Sequence, residues 1–346
     1  MGESGDGGEG VAGVPRATAA QEAARARPLD ARALQRHAAR LLHAPPPWLH
    51  EEVARRMAGR LALLRRAPQR IVDWGAHLGA SEAALRNAVP AAQRIAAEPQ
   101  DFAAALPLRP LAPARQPWWS RWRGNGPQGK GTQGTQGTQG TQGTRGATQR
   151  VAEAVLPEGE ADLLWSNMVL HHQAAPLSSM QRWLRLLAVD GILMFSTLGP
   201  GTLESLRRLY ASHRWPQAHA PFVDMHDLGD MLVQAGFADP VMDQEVVTLT
   251  WATPREALAE LRALGGNAHA ARFAGLRTPR WRAALEQALA GLVAAQPQAR
   301  IALEFEIVYG HAVRPPPRAR VAAETTVPLA DLRGMLGRRA RDGEKR

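Results

Sequence analysis

Hydrophobic positions along this chain recur with two alternating periods. Leu49, Val53, Met57, Leu61 and Leu64 return at helical spacing within residues 48–66, and residues 31–43 read as an earlier helix, parted from it by Pro45-Pro46-Pro47. Arg70-Ile71-Val72-Asp73-Trp74 is a short apolar run entering a glycine-containing turn, which predicts a strand. Residues 81–89 predict a helix stopped by Pro90, and residues 94–98 a second strand. Patterning resumes at residues 161–167 as a strand, followed by a helix over 177–188 with Asp190-Gly191 as its exit turn, and a strand over 192–197. Residues 202–212 predict a helix capped by Thr202, and residues 227–235 one closed by Gly236, with His226 helping to cap or fill its start. A strand over 246–251, helices over 254–264 and 281–294, and a last strand over 301–309 complete the pattern. Strands alternating with helices predict an α/β fold: a Rossmann-like, doubly wound, mostly parallel sheet with helices on both faces.

Three segments lack either period. Residues 1–30 are rich in Gly, Ala and Glu and are expected to be disordered, as is the basic stretch 312–346. Residues 109–147 hold Trp118, Trp119 and Trp122 in a basic setting, then a Gly-Thr-Gln triplet repeat over 131–143. No proline accompanies the triplets, which disfavours a collagen-like helix, and the segment reads as a flexible surface insertion tethered by its tryptophans. One domain over 31–311, interrupted at 109–147, is the expected organisation.

Composition narrows the function. The chain has no cysteine, which removes disulfides, thiolate zinc sites and cysteine nucleophiles together and fits a cytoplasmic protein. No apolar run reaches the roughly 18 residues of a membrane span, and the first residues lack the apolar region of a secretory signal. The net charge of +10 suggests nucleic acid, but its distribution does not. Residues 109–150 carry seven basic and no acidic residues, and 312–346 carry nine basic and four acidic, so the rest is close to neutral. Neither a nucleic-acid nor a membrane partner is expected, and the basic tail reads as solvated.

In such a sheet a ligand lies beyond the carboxyl ends of the strands, where strand order reverses. Three predicted strand ends carry suitable groups. Asp73-Trp74-Gly75-Ala76-His77-Leu78-Gly79 is a strand-to-helix turn whose glycines let backbone approach a ligand. Glu98 follows about twenty residues later, where a carboxylate can accept both hydroxyl hydrogens of a ribose. Asn167 ends a third strand. The turn alone is equally consistent with a tight connection that binds nothing; Glu98 and Asn167 favour a nucleoside. The third glycine of the dinucleotide pattern and the phosphate-binding P-loop pattern are both missing, which disfavours a nicotinamide cofactor and ATP. His171-His172 has no further spaced ligands, so no metal is expected.

The order of these segments resembles that of class I S-adenosylmethionine-dependent methyltransferases. The downstream half is similar to the biotin-synthesis methyltransferase family, which methylates malonyl-acyl carrier protein. The resemblance rests on Asp162-Leu163-Leu164-Trp165-Ser166-Asn167, residues 195–203, 223–230 and 235–243, and Val308-Tyr309-Gly310-His311-Ala312. It implies an antiparallel last strand, S-adenosylmethionine as cofactor and acyl carrier protein as partner. It also implies a cofactor site of Asp73, Gly75, Ala76, His77, Gly79, Glu98 and Asn167. The methyl acceptor would be a carboxylate already ionised at pH 7, so alignment and desolvation would outweigh base catalysis. An arginine clamping that carboxylate would help, with Arg207 as the candidate and a solvated helix-face arginine as the alternative.

The sequence departs from the family in its cofactor half. His77 stands where the family's turn has its middle glycine; at a left-handed position a side chain would cost about 1–2 kcal/mol, and the ring could occupy cofactor space. The family's aromatic N-terminal motif is not recognisable between Leu34 and Trp48, and Glu153 is the nearest remnant of an acidic pair at the third strand end. Two alternatives therefore stand beside the enzyme: a catalytically degenerate binding module of this fold, and a methyltransferase with another acceptor.

Overall fold

The computed structural model describes residues 27–41, 44–98, 148–152, 155–292 and 300–317. The sheet contains β1 (Arg70–Trp74), β2 (Gln93–Glu98), β3 (Thr148–Ala152), β4 (Ala161–Ser166), β5 (Leu187–Leu198), β6 (Ala238–Trp251) and β7 (Ile301–Val313). Its spatial order is β3-β2-β1-β4-β5-β7-β6. Strands β1 to β5 run parallel, while β7 lies antiparallel between β5 and β6. The chain builds outward from β1 to β3, then returns to place β4 on the other side of β1. Strand order therefore reverses between β1 and β4.

Helices cover both faces, which is why the central strands are apolar at nearly every position. Successive side chains leave a strand on opposite sides. Val72, Trp74, Leu164, Leu193 and Phe195 join the core formed with α1 (Ala31–Leu41), α5 (Pro176–Leu186) and α7 (Met225–Ala235). Ile71, Leu163, Trp165 and Met194 join the opposite core with α2 (Trp48–Gly59), α4 (Glu82–Ala88), α8 (Pro254–Ala263) and α9 (Pro279–Ala290). Each large apolar side chain so buried contributes about 1.5–3 kcal/mol. A short helix, α3 (Ala76–Gly79), follows β1, and α6 (Glu204–Ser212) follows β5. Gly310 is fixed by packing: a Cβ there would stand 2.5 Å from Phe195 Cζ, across the β5–β7 pairing.

The predicted α/β architecture is present, with several local corrections. The folded unit takes in Arg27–Asp30: Leu29 bridges His269, and Arg27 is buried, its amide donating to Ala174 O at 2.8 Å. At the other end β7 continues to Val313, and Arg314 pairs its backbone with Asp190 and Gly191. Strand β5 begins at Leu187; the expected Asp190-Gly191 turn survives as a register shift against β4, with Asp190 at φ 63°. Thr202 does not cap α6. Its hydroxyl donates to Glu306 O and accepts the Glu306 N–H, both at 3.1 Å, pinning the turn to β7. Helix α7 starts at Met225 because Asp224 caps it, accepting the His226 N–H at 2.8 Å. The insertion with its tryptophans, Glu153, residues 1–26 and residues 318–346 lie outside the described residues.

Candidate functional site

The turn after β1 is built by backbone. Gly75 is left-handed at φ 68° and donates to Ala97 O at 2.7 Å, tying the turn to the end of β2. Leu78 and Gly79 both donate to Gly75 O at 2.9 Å, closing α3, and Ala80 at φ 54° ends it. Gly75 has no room for a side chain, since a Cβ would stand 2.7 Å from both methyls of Val169. At Gly79 a Cβ would stand 2.9 Å from Asn167 O. These glycines thus admit the segment after β4, whatever else they admit.

His77 corrects an expectation. It lies within α3, and the left-handed positions are Gly75 and Ala80 instead, so its side chain carries no such strain. Its Nε2 lies 3.1 Å from Ala38 O, so the ring docks on α1. Its backbone N–H donates to Glu98 Oε1 at 3.0 Å. Glu98 is fully buried at the end of β2 and faces the turn. Asp73 is buried at the end of β1, in register with Ala96 and Trp165. Ala76 and His77 also edge an open cleft of about 600 Å³ beside Leu41, Ala44 and Pro46.

Asn167 is present at this edge, but its side chain is committed to the protein. Its Nδ2 donates to His50 O at 2.8 Å and to Gly79 O, and its Oδ1 accepts the Ser196 hydroxyl at 2.7 Å. It positions the turn. His50, which the pattern did not single out, does the same from α2 by donating from Nδ1 to Leu78 O at 2.7 Å.

Over the ends of β4 and β5 lies a group of histidines. His171 and His172 have ring centroids 4.2 Å apart, and His37 of α1 lies 5.2 Å from His172. Burial lowers all three: His37 to about 3, and His171 and His172 well below the ordinary value, with neighbouring charges adding to the effect. Burial likewise brings His50 to about 4, against its bond to Leu78 O. All four are neutral at pH 7. Both nitrogens of His37, and Nε2 of His50, His171 and His172, are buried without a hydrogen-bond partner among the described residues. The signal for His37 was in the sequence: it stands on the apolar stripe of Leu34, Ala38 and Leu41. Among the described residues no cluster could hold a metal ion.

Arg207 is elsewhere. On α6 its guanidinium pairs with Glu204 one turn earlier, and 49% of its side chain is exposed. That is the arrangement of a solvated helix-face arginine. Its charge is felt at His219, which burial first and Arg207 among other charges hold below the ordinary value.

The β1–β4 switch point thus gathers Asp73, Gly75, Ala76, His77, Gly79, Glu98 and Asn167, while Arg207 lies on α6, after β5. Residues 49–239 match a family model described as a methyltransferase domain. The malonyl-[acyl-carrier protein] O-methyltransferase of Laribacter hongkongensis is 35% identical over 79% of this chain and 84% of its own length. The enzyme of the same name from Gallionella capsiferriformans is 33% identical over 78% and 85%, and that from Halorhodospira halophila 32% identical over 84% and 90%. With that topology, site and match, this chain belongs to the methyltransferase-domain family and is homologous to the malonyl-[acyl-carrier protein] O-methyltransferases.

Proposed function

We propose that this protein uses S-adenosylmethionine to methylate the free carboxylate of malonyl-acyl carrier protein, a step of biotin-precursor synthesis. The observation that carries the reading is Glu98: a buried carboxylate at the end of β2, held 3.0 Å from the His77 N–H at the switch point of a methyltransferase sheet. A carboxylate there suits a ribose diol. The histidine group supports the fit as well. Its rings are neutral at pH 7, so they do not repel a sulfonium, and they carry buried nitrogens that lack partners. When bound, S-adenosylmethionine supplies an electrophilic methyl group.

The remaining work falls to the chain. Gly75, Ala76 and Gly79 present backbone, with Asp73 and Glu98 beside it. Asn167 and His50 hold the turn in place, and α1 docks on it through the His77–Ala38 contact. The acceptor is ionised at neutral pH, so the site has no proton to remove and gains its rate from orientation and desolvation. The likeness of three relatives whose name specifies this acceptor supports the choice of malonyl-acyl carrier protein.

The test is transfer of a labelled methyl group to malonyl-acyl carrier protein, with acetyl-acyl carrier protein and malonyl-coenzyme A as parallel acceptors. Labelling that needs both the free carboxylate and the carrier is the expected result. Labelling of none of the three overturns the assignment of acceptor. A second reading, a binding module of this fold, is favoured by one observation: α1 closes on the turn through the His77–Ala38 bond. His77→Gly separates the two, since tightening of a weak cofactor affinity in this variant marks a weakened enzyme.

A further inference from the structure

Beside α1 lies a second cleft, of about 450 Å³. Its apolar lining includes Leu203, Leu206, Tyr210, Leu258, Leu261 and Trp281. Its polar lining is basic: Arg36 and Arg40 from α1, Arg262 from α8, and Arg272 and Arg277 from the segment before α9. Arg272 is paired with Asp30. Arg277 stacks over the Phe273 and Trp281 rings at 4.0 and 4.1 Å. Among the described residues Arg36, Arg40 and Arg262 have no carboxylate partner. Arg40 is held below the ordinary arginine value by burial first and then by Arg262 and Arg36, which places three like charges within reach of one another. Such a group stays together at the expense of stability unless an anion joins it.

The cleft also reaches the site. Leu203 lines it just beyond β5. Gly265 lines it at φ 124°, and a Cβ there would stand 3.1 Å from His172 Cε1 and 3.5 Å from His37 Nε2. Gly265 thus borders both the cleft and the histidine group. An arginine cluster at one part of an apolar trough, with the trough ending at the reacting edge of the sheet, fits a ligand with an anionic group on a long, weakly polar arm.

We propose that this cleft binds the phosphate-bearing prosthetic arm of the acyl acceptor, with Arg36, Arg40 and Arg262 on its phosphate and the apolar trough under its chain. This inference rests on the proposed acceptor being carried as a thioester, and it assigns the residues that take the carrier's arm.

The experiment is calorimetric titration of the full chain with 4′-phosphopantetheine, pantetheine and inorganic phosphate. Saturable binding of phosphopantetheine is expected, tighter than that of either other probe. Arg40→Ala and Arg262→Ala should each weaken it on the order of fivefold, the loss of about 1 kcal/mol of charge-assisted contact. Arg255→Ala removes an exposed arginine of the same helix as Arg262 but outside the cleft, so it should leave binding unchanged. Thermal unfolding of each variant confirms that its fold is intact. Equal binding of pantetheine and phosphopantetheine overturns the proposal. So does equal binding by the Arg40, Arg262 and Arg255 variants. Inorganic phosphate binding as tightly as the arm would make this a simple anion site and overturn the assignment of the arm. No methyl transfer is read, so failure of the proposed reaction in its own assay is separable from failure here.

Discussion

Asn167 shows how the position of a strand-end polar residue can be read from sequence while its hydrogen bonds cannot. Its position was legible, because the strand pattern ends there. Its role was not, because the amide's partners are backbone carbonyls of distant segments: His50 O and Gly79 O. Asn167→Ala leaves these groups and the Ser196 hydroxyl with one partner fewer in a buried setting, and should destabilise the fold by about 2–4 kcal/mol. A shift in urea midpoint at constant slope checks it. Gly75 belongs to the same argument. It is left-handed, and a Cβ there would meet Val169 at 2.7 Å. Gly75→Ala should therefore cost about 2 kcal/mol or more, with backbone strain and overpacking adding, again read by denaturant unfolding. Arg207 illustrates the opposite case: its residue type suits a carboxylate clamp, and in the structure its guanidinium pairs with Glu204 one turn away.

At the scale of elements, the buried strands were legible and the edges were not. β1 and the end of β2 stand where the pattern put them, because apolar residues covered on both faces leave a clear run. β3 has one buried apolar residue, Val151, in a short polar stretch at the sheet's edge, and no period marked it. β6 begins eight residues before the alternation that revealed it. Asp239 and Pro240 fall in a register shift against β7, with Asp239 at φ 49°. Edge strands tolerate both proline and such bulges. The covering helix α1 was predicted, but not its docking through the His77 ring onto Ala38 O. His77→Ala removes that bond. Amide exchange over Ala31–Leu41 should then quicken about fivefold, for a loss of about 1 kcal/mol, while exchange in α5 stays unchanged.

For the whole molecule, the buried histidines set the response to acid. His37, His50, His171 and His172 are held neutral by burial, the first two at about 3 and 4. Unfolded, each takes up a proton near the ordinary value of about 6.5. The unfolded chain thus binds more protons below that pH. Stability is full above it and falls as pH drops toward the folded-state values. His37 and His50 should each contribute a loss of roughly 1–2 kcal/mol between pH 6.5 and 5, and His171 and His172 act in the same direction. Melting temperature should fall steadily over that range, and less steeply in His37→Leu. The same neutral rings lie at the edge of the sheet where Glu98 faces the turn, and there acid sensitivity and function meet. The account stands or falls on calorimetric titration of the intact chain with S-adenosylmethionine at pH 7.5, repeated on Glu98→Gln. It predicts saturable binding, weakened on the order of tenfold when the carboxylate becomes an amide. Affinity unchanged by that substitution in a folded variant, or no heat of binding at all from the unaltered protein at millimolar ligand, would contradict it.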